Sequence, residues 1–322
     1  MKILAHVHAY PPMHNAGAEW YLHEIFTWLI SRGHTCTVIA NEIKYSEFEG
    51  VKLIKKTVGT EFAEYRKADI VLTHLDRTGL VLNCCKNWNI PCAVILHNTH
   101  DQGFRPKKNI PVIFNSQYVK DKSPHGNNPG VILRPYTQVK LYETKGVRKY
   151  ITLINCNDNK GGKQFIELAK LLPEFEFVGI EGMYGAQIKD RTIPNLKYLA
   201  NTPNIGEIYA LTKILLMPSE YESWGRTAIE ACCSGIPVIA NPTDGLSESL
   251  SDAGIYIKRN NIKAWAEKIK ELMTDKKEYL EAGNKCKKRA LELEDQSLKE
   301  LESVEQFLIK IKERWNTEFC VQ

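Results

Sequence analysis

Acidic, basic and imidazole side chains fall at distinctive places along this sequence. The segment Met217–Ala240 reads as a strand, a loop, a helix, Gly235-Ile236-Pro237 and a further strand. Glu222 falls on that loop, at a strand end, where open α/β sheets bind ligands. Glu230 falls eight residues on, inside the helix. Gly225 lets backbone approach a ligand and starts the helix, whose first N–H groups can meet a phosphate. Lys160 follows another strand and the loop Asn155–Asn159, and Lys160-Gly161-Gly162 opens a helix. An ammonium beside a helix start can neutralise a diphosphate. On residue type alone, solvated loop and surface side chains account for Glu222, Glu230 and Lys160 just as well.

All nine histidines lie at or before His125. If imidazole takes part in the chemistry, the first half supplies it. Any charge from the second half must come from Glu, Asp, Lys or Arg. His97 ends the run Val94-Ile95-Leu96, and His100 follows on a loop. His6 and His8 leave the first strand, which makes His8 and Tyr10 candidates for an acceptor side. Each of these histidines is equally open to a capping or core role.

The elements that must position these groups alternate. Strands are expected at Lys2–Val7, Thr35–Ala40, Asp69–Thr73, Cys92–Leu96 and Pro111–Asn115, with a minor one at Val51–Ile54. A helix is expected over Ala18–Ser31, stopped by Gly33, and a short one from Ser116. The turn-rich stretch from Asp121 to Gly130 and the polar run to Lys149 read as a crossover. The alternation restarts with strands at Tyr150–Asn155, Glu176–Gly179, Asn195–Leu199, Ile214–Met217 and Pro237–Ala240. Helices are expected at Gly162–Leu171, Asn204–Leu211, Arg226–Ser234 and Leu246–Ser251. From Asn261 the pattern is helical, with Gly283 and Glu292–Ser297 expected to divide it into three helices. Strands separated by helices argue for parallel sheets. The expectation is therefore an α/β protein of two Rossmann-like parallel-sheet domains facing across a cleft. They would cover residues 1–140 and 141–300, with a final helix over 301–322 returning toward the first.

The 322 residues include 43 basic and 38 acidic ones, for a net charge of +5. That excess is too mild to imply nucleic acid, and it suits an anionic small molecule. Nine cysteines without paired Cys-x-x-Cys spacing read as reduced cytosolic thiols rather than a zinc site. No apolar run reaches the roughly 20 residues a membrane span needs.

The segment Pro218-Ser219-Glu220-Tyr221-Glu222-Ser223-Trp224-Gly225, continued through Glu230-Ala231 and Gly235-Ile236-Pro237-Val238-Ile239, resembles the Glu-x7-Glu signature of the GT-B glycosyltransferases of retaining family 4. Trp224 stands where that family typically has Phe. The resemblance runs over nearly the whole chain. It takes in Pro12–Glu19, Gly33-His34, Asn115-Ser116, Lys160-Gly161-Gly162 and Thr243–Glu248, in that order.

The resemblance implies a retaining transfer of a sugar from a nucleotide diphosphate sugar to an acceptor hydroxyl. It implies Glu230 on the ribose hydroxyls, a diol that a carboxylate can accept from twice. It implies Glu222 and His97 near the transferred sugar and Lys160 with Gly161 at the diphosphate. Gly17, Gly225, Arg226 and Thr227 would line the donor, and Gly245 and Leu246 would reach its sugar. Where the family commonly has an Arg five residues before the Lys, this chain has Asn155, leaving Arg226 or Arg134 to supply that charge. No cofactor and no metal are expected, because no Asp-x-Asp motif suits a diphosphate-bound cation. The departing phosphate is expected to act as base toward the acceptor. The donor is a UDP- or GDP-sugar and the location cytoplasmic. Acceptor class stays open, nucleic acid included, as do peripheral membrane contact and oligomeric state. A nucleotide-sugar epimerase and a non-catalytic sugar-nucleotide or glycan binder are the alternatives.

Overall fold

A computed structural model describes residues 1–100 and 109–319. The chain divides into two compact units, Met1–Tyr136 with Ser297–Gln322, and Thr137–Gln296. No helix of the described residues is long and apolar enough to cross a membrane.

In the first unit the order is β1 (Lys2–His6), α1 (Gly17–Ser31), β2 (Thr35–Ala40), β3 (Glu47–Phe48), β4 (Val51–Lys55), α2 (Thr60–Tyr65), β5 (Ile70–His74), α3 (Thr78–Trp88), β6 (Cys92–Leu96), β7 (Val112–Phe114), α4 (Gln117–Lys122) and β8 (Gly130–Ile132). The sheet runs β3-β4-β2-β1-β5-β6-β7-β8, parallel except for the β3–β4 pair. β5 and β6 are buried along their whole length, which is why they read as continuous apolar runs. The strand order reverses between β1 and β5, so their C-terminal ends flank a switch point, the usual place for a ligand in an open sheet. The turn chemistry expected through Gly130 ends one residue early. Gly130 opens β8 because a side chain there would stand 2.4 Å from the Val112 carbonyl oxygen.

The second unit contains α5 (Val139–Tyr142), β9 (Tyr150–Ile154), α6 (Gly162–Leu171), β10 (Phe177–Ile180), β11 (Leu196–Leu199), α7 (Ile205–Leu211), β12 (Thr212–Met217), α8 (Arg226–Cys233), β13 (Val238–Ala240), α9 (Asp244–Leu250), β14 (Ile255–Tyr256) and α10 (Ile262–Thr274). Its parallel sheet runs β11-β10-β9-β12-β13-β14. Alternate residues of β12 enter opposite cores: Leu215 and Met217 pack with α8, Ile214 and Leu216 with α6 and α10. Helices therefore cover both faces. The order reverses between β9 and β12, and the loops leaving these two strands carry Lys160 and Glu222.

The C-terminal expectation needs correction. A single 39-residue helix, α11 (Lys276–Arg314), replaces the two segments expected beyond α10. Its buried positions Cys286, Ala290, Leu293, Ser297, Leu301, Val304, Leu308 and Ile311 recur every three or four residues, an unbroken helical stripe. Gly283 does not stop it. That residue brings α11 against the loop after α8, where an added Cβ would lie 2.5 Å from the Gly235 carbonyl oxygen. Leu301, Val304, Leu308 and Ile311 join the core of the first unit. Glu305 there accepts from His34 Nε2 at 2.8 Å and from Arg32 Nε at 3.3 Å. Arg134 pairs with Glu300, and Lys312 with Asp69.

Two outcomes follow from these contacts. Gly283→Ala should lower unfolding free energy by about 1–2 kcal/mol in denaturant titration, although alanine favours helices, because backbone must give way. Gly17→Ala should change stability little, since nothing lies within 4 Å of the added carbon. Equal stability of Gly283→Ala and the parent would mean that the helix is not seated on Gly235. For Glu305, burial raises its pKa, but the His34 and Arg32 hydrogen bonds outweigh it and hold the carboxyl below its ordinary value. A lowered acid pKa gives stability that is complete above the ordinary value of 4.5 and is lost as pH falls through the folded value. The melting-temperature gap between the parent and Glu305→Gln, worth on the order of 1 kcal/mol at neutral pH, should therefore close in acid. A gap that widens in acid would contradict it.

Candidate functional site

The loop after β9 turns sharply. Asn155 takes a left-handed conformation at φ 66°, which asparagine tolerates better than most residues. Its buried side chain accepts from Gln187 Nε2 at 2.9 Å and fills the space over Gly182. Asn155 thus fastens the 182–187 loop and brings no charge. Asn157 Oδ1 accepts from the Lys160 backbone N–H at 2.9 Å, and Gly161, at φ +91°, caps α6. A side chain on Gly161 would meet Pro218 at 2.4 Å, so the two loops touch through a glycine. Glu220 N donates to Asn159 O at 2.7 Å, and Arg259 joins Glu220 to the Asp158 carbonyl.

Across this junction Lys160 Nζ donates to Glu222 Oε1 at 2.5 Å. Ser219, fully buried, donates to the same oxygen at 2.9 Å. Burial alone would lower the Lys160 pKa, but the adjacent Glu222 carboxylate, with Tyr184, outweighs it and raises it. Lys160 is therefore a fixed cation at the mouth of α6, beside N–H groups that a helix leaves without internal partners.

Glu230 is buried on α8 and both its oxygens are engaged. Arg226 Nε donates to Oε1 at 2.6 Å and the Tyr209 hydroxyl to Oε2 at 2.7 Å. Burial and then Glu230 itself push the Tyr209 pKa well up, so the phenol keeps its proton and donates. Arg226 also reaches the Tyr142 hydroxyl at 2.8 Å. A carboxylate offers about four lone-pair sites, so two donors leave room for two more. Gly225, at φ +85°, caps α8, and a side chain there would strike Leu246. Thr227 lies in the first turn, its hydroxyl 3.4 Å from Met217 Sδ. Gly245 lies against the Glu222 carbonyl, where a Cβ would come within 2.2 Å. Leu246 is fully buried and its N–H is bonded to Thr243 Oγ1.

The second unit thus gathers Lys160, Gly161, Glu222, Gly225, Arg226, Thr227, Glu230, Gly245 and Leu246. His97 and Gly17 belong to the first unit. His97 follows β6, shares a hydrogen bond with His74 Nδ1 at 2.8 Å, and its ring meets Tyr21 edge-on. Burial pushes its pKa down to about 3, which makes it a neutral hydrogen-bonding group at neutral pH. Gly17 is the first residue of α1, with open space above it. Arg134, one candidate for the missing loop charge, is committed to Glu300. The other, Arg226, is committed to Glu230. The sequence reading did not single out His74, Tyr142, Tyr209 or Arg259. Ser219 stood inside the quoted motif without a role.

Residues 139–290 match the family model described as glycosyl transferases group 1. A curated D-inositol 3-phosphate glycosyltransferase of Paenarthrobacter aurescens is 33% identical over 75 residues, 23% of this chain and 18% of that protein. The Campylobacter jejuni N,N'-diacetylbacillosaminyl-diphospho-undecaprenol alpha-1,3-N-acetylgalactosaminyltransferase is 28% identical over 144 residues, 42% of this chain and 38% of its own. The chain thus aligns with well under half the length of either. Among solved structures, Anabaena HepE in complex with UDP-glucose superposes with a TM-score of 0.75 at 15% identity, covering 94% of this chain and all of that one. A sucrose-phosphate synthase from Thermosynechococcus elongatus does so at 0.75 and 13%, covering 96% and 100%. The chain accordingly has the GT-B fold, and residues 139–290, which hold the Lys160–Glu222 pair, are the part that matches the group 1 glycosyl transferase model.

Proposed function

We propose that the protein is a retaining glycosyltransferase that moves a sugar from a nucleotide diphosphate sugar to an acceptor hydroxyl. The observation that carries this reading is the Lys160–Glu222 pair at the β9/β12 switch point, with the start of α6 beside it. An ammonium held there meets the negative charge that grows on a departing diphosphate, which lowers the barrier rather than only tightening binding. That role needs no cation on the diphosphate. The remaining acceptor sites of Glu230 suit a ribose diol, with Arg226 and Tyr209 fixing the carboxylate. Glu222, paired through one oxygen to Lys160 and Ser219, keeps the other for a sugar hydroxyl. His97, neutral, suits a hydrogen bond to the sugar rather than proton removal, and the leaving phosphate takes the acceptor proton. Gly17, Gly225, Thr227, Gly245 and Leu246 belong to this reading as donor-lining positions.

A UDP-sugar is the favoured donor, on the likeness to HepE with UDP-glucose bound. Eight described cysteines without a disulfide suit a reducing, cytoplasmic location. Calorimetry with UDP and GDP tests the nucleotide, and donor consumption with and without acceptors tests the reaction. Turnover of donor to an epimer without any acceptor would replace transfer by epimerisation.

The two charged groups should separate binding from chemistry. Lys160→Ala should lower kcat by about 10²–10³-fold, the usual cost of one lost transition-state donor, with a smaller effect on nucleotide affinity. Glu222→Ala removes the counter-charge of Lys160, so UDP affinity should hold or rise while transfer falls. Loss of UDP binding in Glu222→Ala would count against this assignment. Glu230→Gln should weaken nucleotide binding by about 1–3 kcal/mol. Unchanged calorimetric affinity in a folded Glu230→Gln protein would remove it from the ribose.

A further inference from the structure

A second constellation lies in the first unit, at the switch point between β1 and β5. His8 leaves β1, His74 ends β5, and Glu19 sits in the first turn of α1. One ligand atom from each lies within 4.8 Å of the other two. His8 Nε2 stands 3.3 Å from Glu19 Oε1. His74 and Glu19 are almost fully buried, and three of the polar atoms here have no hydrogen-bond partner: His8 Nδ1, Glu19 Oε2 and His74 Nε2. Buried polar atoms are nearly always partnered, so Glu19 Oε2 and His74 Nε2, two orphans in one buried cluster, point to a missing component. Both can act as electron-pair donors, which is the pattern a cation satisfies, and His8 Nε2, the ring nitrogen beside Glu19, supplies the third donor.

We propose that His8, Glu19 and His74 bind a divalent transition-metal ion, zinc by the donor set of two imidazoles and one carboxylate. The 3.3 Å between His8 and Glu19 is about the separation of two ligands on a tetrahedral ion with bonds of roughly 2.0 Å. His74 supplies the third ligand, its nitrogen lying within 4.8 Å of the other two ligand atoms. Its other ring nitrogen already has the partner that a metal-bound imidazole requires. His74 Nδ1 shares a 2.8 Å hydrogen bond with His97 Nε2, and the tautomer that carries the proton on His74 Nδ1 leaves its Nε2 lone pair for the ion. The His8 side chain is 27% exposed, so the ion has an entry path and a fourth position open to water. The three ligands belong to the first unit and Lys160 to the second, and the metal site stands or falls independently of the transfer reaction.

The test is calorimetric titration of zinc into the chelator-stripped full-length protein, with the cobalt ion and its visible ligand-field bands as a second probe. One equivalent of zinc should bind, and cobalt should give bands of low coordination number. His8→Ala and Glu19→Gln should each weaken zinc at least about 10-fold, and His97→Ala by about 10–100-fold, as loss of an outer partner does. Circular dichroism checks folding. If a variant of the buried Glu19 fails to fold, the partly exposed His8 carries the comparison. Absence of stoichiometric zinc in the parent, or zinc affinity unchanged in folded His8→Ala, overturns the proposal. In that case the cluster is a water-filled polar pocket, or the ion sits elsewhere.

Discussion

An ammonium withdrawn from water must keep a counter-charge or lose its proton. At Lys160 that requirement is met by Glu222, 62 residues away in sequence and 2.5 Å away in space. The pair exists only because β9 and β12 are neighbours in the sheet although four elements separate them along the chain. The surrounding loops are arranged around it. Gly161 has no side chain, so Pro218 can close over the junction, and Gly245 has none, so α9 can start against the Glu222 backbone. Asn157 and Ser219 then direct the lysine backbone and the carboxylate.

The two units divide their chemistry by charge. The second unit holds fixed ionic groups, each already compensated: Lys160 by Glu222, and Glu230 by Arg226 and Tyr209. A ligand entering there exchanges partners with these groups rather than meeting bare charges. This keeps the polar groups of the site from being stranded when it is empty. The strand ends of the first unit carry imidazoles. Burial lowers the pKa of His6 to about 4 and that of His97 to about 3, and sends that of His74 well below its ordinary value. They are neutral, directional hydrogen-bonding groups around neutral pH.

Much of this was legible before any coordinates. Buried parallel strands announce themselves as apolar runs, and the residue after such a run is a strand-end residue, which places Lys160, Glu222 and His97 near the right edge of their sheets. Whatever depended on contacts between distant segments was not legible. Gly283 looks like a break on propensity, yet its lack of a side chain serves the contact with Gly235. Tyr209 lies on an otherwise apolar helix face, where a tyrosine reads as core until Glu230 is seen beside its hydroxyl. His74 is one residue past the strand end expected from sequence. Asn155 departs from the family's arginine, and only its bond to Gln187 shows what the asparagine does instead.

The cysteines give the two units separate internal clocks. Of the eight described thiols only Cys84 is partly exposed; the others are buried. Cys36, Cys85 and Cys92 lie in the first unit, and Cys156, Cys232, Cys233 and Cys286 in the second. Burial pushes the thiols of Cys36, Cys156 and Cys233 up to about 12, so in the folded chain they are unreactive as well as hidden. A thiol reagent therefore modifies these positions only when the local structure opens. The order in which peptides from each set acquire label, read by mass spectrometry, ranks the opening of one unit against the other in an otherwise unmodified protein.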